Sequence, residues 1–98
     1  MSDLSDRLRV EAQSVDGIYQ EIARERCRAH DKHRSHSVED IDVRSPHWWP
    51  VVMEEIGEVA RALHDGEPIE NIKAELVQCA AMLTAWACSA DRELRWSL

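Results

Sequence analysis

Met53-Glu54-Glu55-Ile56-Gly57-Glu58-Val59-Ala60 is followed, with sixteen residues between Glu58 and Glu75, by Glu75-Leu76-Val77-Gln78-Cys79-Ala80-Ala81-Met82. Both stretches alternate apolar and polar residues at helical rather than strand spacing. Side chains three apart share a helical face, so Glu55 and Glu58 project together, as do Glu75 and Gln78. Two such helices packed antiparallel aim up to four oxygen-bearing side chains into one gap. A hard cation such as Mg²⁺ asks for such a set: oxygen ligands, with positions left for water and substrate phosphates.

The rest of the 98-residue chain fits a single all-α domain, residues 1–98. Phenylalanine is absent and β-branched residues are sparse, while Ala, Glu, Arg and Leu are frequent. Ser2 or Ser5 is placed to cap a first helix, with Asp3 and Asp6 near its positive end. Leu8, Ala12, Val15, Tyr19, Ile22 and Cys27 recur at helical steps, predicting one helix from about residue 4 to about 32, with a bend permitted at Gly17. Residues 33–45 lack periodicity and read as a loop, of a length often tied to function. Ser45-Pro46 is a cap followed by a first-turn proline, so the next helix is expected over about 46–64. His64-Asp65-Gly66-Glu67 signals a turn, and Pro68 opens a helix to about residue 90.

On the middle helix, Val52, Ile56, Val59 and Leu63 form one apolar stripe, with Glu55 at its edge, Glu58 further round and Glu54 nearly opposite. On the following helix Ile69, Ile72, Leu76, Ala80, Leu83 and Ala87 form a stripe, and Val77, Ala81, Thr84 and Cys88 make much of the other side apolar. That helix is expected to be buried on most sides. Glu75 and Gln78 then need a partner inside it, since an unpaired buried carboxylate costs several kcal/mol or takes up a proton.

Nineteen acidic against twelve basic residues give a net charge of −7, which argues against a duplex nucleic-acid binder or an anionic membrane surface. Nucleotides stay possible, because a bound cation reverses the sign of an acidic pocket. Cys27, Cys79 and Cys88 have no CxxC spacing and read as reduced thiols of a cytoplasmic protein. No signal-peptide pattern or apolar run of the ~18 residues needed to span a bilayer is present. No Walker-type glycine loop is present either, which excludes that nucleotide site.

Glu54-Glu55-x-x-Glu58 followed by Glu75-x-x-Gln78 resembles the MazG-like, all-α nucleoside triphosphate pyrophosphohydrolases, whose pattern is EExxE, a spacer, then ExxD. The frame resembles the family too: Trp49-Pro50-Val51-Val52-Met53 before the motif and Val59-Ala60 after it. Upstream, Arg28-Ala29-His30-Asp31-Lys32-His33, with Ser37 shortly after, is similar to a stretch of the small phage-type and actinobacterial-type members. The resemblance spans about residues 25–88. It implies an antiparallel helical bundle completed as a homodimer or homotetramer, and Mg²⁺-dependent hydrolysis of an NTP or dNTP to monophosphate and pyrophosphate, with Mn²⁺ as the expected substitute. It assigns Glu55, Glu58 and Glu75 as metal ligands. Gln78 stands where the family has aspartate, an oxygen ligand without a charge.

Slow attack of water on a triphosphate is helped by divalent ions that offset phosphate charge, and by a carboxylate free to take the water's proton. Glu54, Glu55 and Glu58 are therefore the candidate catalytic residues, Glu54 as the base or a supporting group. Lys32, with Arg28 and Arg34 near it, is placed to hold a phosphate. His33 is a further candidate for the substrate, and one of Trp48 and Trp49 is expected to stack on a base. His30, His33 and His36 step by three, but a helix ending near His33 keeps them off one face, against a zinc site. Two other readings compete: a non-catalytic nucleotide or metal sensor on the same bundle, and a helical interaction module with solvated acidic pairs.

Overall fold

The computed structural model describes residues 3–14, 16–33 and 37–96, the side chains of 12–14 excepted. It is all helical, with no strand among the described residues: α1 (Leu4–Ser14), α2 (Asp16–His33), a short 3₁₀ turn (Val38–Asp40), α3 (Trp48–His64) and α4 (Ile69–Trp96). No described helix is long and apolar enough to cross a membrane. Helix α4 is the spine, against which α2, α3 and the 3₁₀ turn all pack.

The single helix expected over 4–32 is two, α1 and α2; Val15 and the caps proposed at Ser2 fall outside the described residues. Asp3, rather than a serine, caps α1: its Oδ1 accepts the Asp6 backbone N–H at 3.0 Å, leaving Ser5 inside the helix. Helix α3 starts at Trp48, later than expected. Ser45 caps the turn before it instead, accepting the His47 N–H on its side chain at 3.2 Å and the Trp48 N–H on its carbonyl at 3.4 Å. Pro50 falls in the first turn of α3, where its missing N–H has no helical partner to lose.

Helix α3 stops where the sequence signals. The N–H groups of Gly66 and Glu67 return to the carbonyls of Leu63 and Ala62 at 3.2 and 3.0 Å, a Schellman closure. Gly66 has φ +62°, which only glycine adopts without cost. Gly66→Ala is expected to lower stability by about 1–2 kcal/mol, read as a shifted urea midpoint with an unchanged slope.

Helix α4 runs six residues past the expected end near 90. Periodicity fades there, but partners do not: Arg95 pairs with Asp91 at 2.9 Å, and Arg92 donates to the Glu39 carbonyl at 2.7 Å. Arg44 clamps Glu93. The segment 39–47, the end of the loop expected over 33–45 together with the first two residues of the helix expected from 46, is strapped across this half of α4. Ser89 Oγ donates to the Ile41 carbonyl at 2.9 Å, Trp48 Nε1 to Asp42 at 2.8 Å, and Trp86 Nε1 to Val43 at 2.9 Å. Trp48, fully buried, stacks on Trp86 with centroids 5.6 Å apart and planes 4° from parallel.

The core is small: Trp48, Val52, Ala62, Ala81, Met82 and Ala85, with Ser89 beside them. This overturns the expectation that α4 is buried on most sides. Ala81, Ala85 and Ser89 face inward, while Ile69, Leu76 and Leu83 of the expected stripe are 72%, 51% and 47% exposed, Ala87 is exposed too, and so are Met53, Ile56 and Leu63 of α3. The chain shows 7527 Å² of surface, against about 5,700 Å² for a compact monomer of its mass. Its radius of gyration is 15.8 Å, against about 13 Å.

Candidate functional site

Glu55 and Glu58, one turn apart on α3, meet Glu75 of α4, and an oxygen from each lies within 4.8 Å of the others. The antiparallel α3–α4 pair brings this about, because Gly66 and Pro68 reverse the chain within a few residues of His64. Oε2 of Glu55 and Oε2 of Glu75 are buried without a hydrogen-bond partner. A third such oxygen belongs to Glu21, whose other oxygen pairs with Lys73 at 3.3 Å. Buried acceptors without donors cost free energy, so the trio has the chemistry of a ligand set for a hard cation.

The electrostatics say the same. Burial, with the charges of Glu58, Glu54, Glu75 and Glu25 added, pushes the Glu55 carboxyl up to about 7. Glu75 is also raised, first by burial and then by its hydrogen bond and charge contact with Glu58. Glu55 thus binds a proton more tightly in the folded chain than in the unfolded one. Its contribution to stability is full below its ordinary value of 4.5 and is lost as pH rises toward 7. A cation displaces that proton. Thermal unfolding with and without Mg²⁺ is therefore expected to show a larger Mg²⁺-induced rise in Tm at pH 8 than at pH 5.5. Equal rises would contradict the ligand assignment.

A cavity of about 440 Å³ opens beside the trio. Glu54, Glu55, Glu58 and Gln78 line its acidic side; Arg28, Lys32 and His33 line it from α2. The structure therefore gathers most of the residues singled out from sequence around one space, while Glu75 adjoins Glu55 and Glu58 without lining it. Arg28 is held in place by both oxygens of Glu25. Arg34 and His36 fall outside the described residues.

The tryptophans do not join them. Trp48 is sealed against Trp86, and Trp49, 63% exposed, does not line the cavity. The expectation that one stacks on a base is not met in the cavity of a single chain. The strap and α4 claim Trp48 between them, its indole N–H bonding Asp42 and its ring face stacking on Trp86. Apolar contact in the cavity comes instead from Val38, Val51 and Met82.

Sequence reasoning missed Glu25 and His47, both on the cavity wall. Glu25, Arg28, Ala29 and Lys32 sit at i, i+3, i+4 and i+7, one face of α2. The signal was present, but on a polar helix it is indistinguishable from a solvated face.

No protein-family model matches the chain, and comparisons with characterised proteins and with solved structures find no similar protein.

Proposed function

We propose that the chain is a Mg²⁺-dependent nucleoside triphosphate pyrophosphohydrolase, cleaving an NTP or dNTP between its α and β phosphates to give monophosphate and pyrophosphate. The observation that carries this reading is the Glu55–Glu58–Glu75 trio, with two buried oxygens lacking donors, at the edge of a cavity whose α2 side carries Arg28 and Lys32. The resemblance of the EExxE and ExxQ segments to the MazG-like enzymes agrees with it.

Glu55, Glu58 and Glu75 would hold the cation, and Gln78 offers a neutral oxygen one turn along α4. When bound, Mg²⁺ offsets phosphate charge and eases deprotonation of water. Glu54, exposed on the cavity wall, takes the proton of the attacking water. Arg28, pre-oriented by Glu25 and within reach of the charge of Glu55, faces the phosphate chain, and Lys32 lines the same wall a turn further along α2. His33 lies on the same wall.

The apolar faces on α3 and α4 suit a second copy of the chain. Closing them in a homodimer or homotetramer hides surface of the order that the chain shows in excess. Light scattering is expected to give a dimer or larger, and Leu83→Asp to shift it toward monomer.

The direct test is a panel of NTPs and dNTPs with Mg²⁺, reading phosphate release in the presence of added pyrophosphatase. Release that depends on both Mg²⁺ and pyrophosphatase supports the proposal. Absence of release across the panel sinks it, and calorimetry with Mg²⁺ and a non-hydrolysable triphosphate then separates a nucleotide sensor from a module that binds neither.

A further inference from the structure

His30 Nδ1 lies 2.7 Å from Ser37 Oγ. The same hydroxyl accepts the backbone N–H of Glu39 at 3.2 Å. Glu39 is fixed from two sides: Arg26 donates to its carboxylate at 2.7 and 3.2 Å, and Arg92 to its carbonyl at 2.7 Å. A hydroxyl has one proton to give, and that of Ser37 has no other acceptor among the described residues. Given to Nδ1, it selects one of the two tautomers this contact admits, the other having Nδ1–H donate to the hydroxyl. An imidazole that accepts at Nδ1 is neutral and carries its proton on Nε2. In that tautomer the Nε2–H has no partner among the described residues, and His30 lines this cavity as well as a second one beside Arg26 and Cys27.

The cavity has two ends. Glu58 and Glu55 mark one, joined by Glu25, whose charge acts on Glu55 and Glu75. Val51 and His47 lie back toward the start of α3, about one to three turns or roughly 6–16 Å away, with Val38, Ser37 and Met82 also on the wall. His30 is tied to this second end through Ser37 and Glu39, whose carbonyl meets Arg92, well past Glu75 along α4. Given a triphosphate held at the acidic end as proposed above, we infer that His30 is a specificity-determining hydrogen-bond donor to the nucleoside half of the substrate. Ser37 and Glu39 are the positioning residues that lock its tautomer. Val38, Val51 and Met82 supply the apolar contact that no tryptophan provides.

Calorimetry with Mg²⁺ uses two probes: the α,β-imido analogues of dUTP, dCTP, dATP and dGTP, and inorganic imidotriphosphate, which lacks the nucleoside. His30→Ala is expected to weaken the best-bound nucleotide analogue about tenfold, the worth of one good hydrogen bond, and to leave imidotriphosphate unchanged. Ser37→Ala is expected to weaken the nucleotide about threefold, and the double variant no more than His30→Ala alone, since both remove one interaction. Equal losses for both probes, or no loss for either, overturn the assignment. Wild-type protein that binds neither probe refutes the triphosphate reading instead. Long-range proton–nitrogen NMR on the wild type checks the lock itself whatever the variants do: a protonated Nε2 and bare Nδ1 on His30 support it, and the reverse tautomer overturns it.

Discussion

Glu58→Gln is expected to reduce pyrophosphate release by at least about a hundredfold, the upper end of what even a supporting group around a metal ligand costs, while making the metal-free protein slightly more stable. The two effects share one cause. Glu58 acts on both partners: after burial, its charge is the largest cause that raises Glu55, and its close contact and charge raise Glu75. An amide in its place removes that repulsion and with it the charge that attracts a cation. The Mg²⁺-induced rise in Tm should therefore shrink together with turnover, as circular dichroism reports unchanged helix content. A solvated glutamate with no ligand role shows none of this; wild-type rates in the variant refute the assignment.

Trp48→Ala carries the largest expected cost in stability, about 3–5 kcal/mol, a large share of the 5–15 kcal/mol typical of a whole domain. Among the described residues Trp48 is the one large side chain that is fully buried. Truncation leaves a cavity under the strap, exposes the face of Trp86 and frees the Asp42 carbonyl. Trp48→Phe separates these terms. It keeps most of the packing and loses the indole N–H bond, costing about 1 kcal/mol. Urea unfolding of the two variants measures both. Because the strap also carries Ser37, Val38 and His47 to the cavity, Trp48→Ala should weaken substrate binding in the fraction that stays folded.

The acidic trio was legible in sequence because its geometry is local: i, i+3 spacing on α3 and a tight reversal at Gly66 leave few ways to place Glu75 other than beside Glu58. The helical class, the turn at 64–67 and the convergence on one site follow from such short-range rules. What depended on distant residues was not legible. The course of residues 39–47 is set by donors some 43–53 positions away on α4, and the same contacts extend α4 past residue 90. Trp48 could not be told from Trp49 until the strap showed which indole it needed. The apolar stripe on α4 was read correctly as a stripe but assigned to the wrong interior. Periodicity reveals that a face is apolar without revealing whether the same chain covers it.

The parallel indoles of Trp48 and Trp86 are near enough for their electronic transitions to mix. The near- and far-ultraviolet dichroism should then carry a paired band of opposite signs, to which the exposed Trp49 and Trp96 contribute little. Such an optical signature gives the protein a built-in gauge: lifting of the segment over α4 can be timed in the unlabelled chain, separately from melting of the helices.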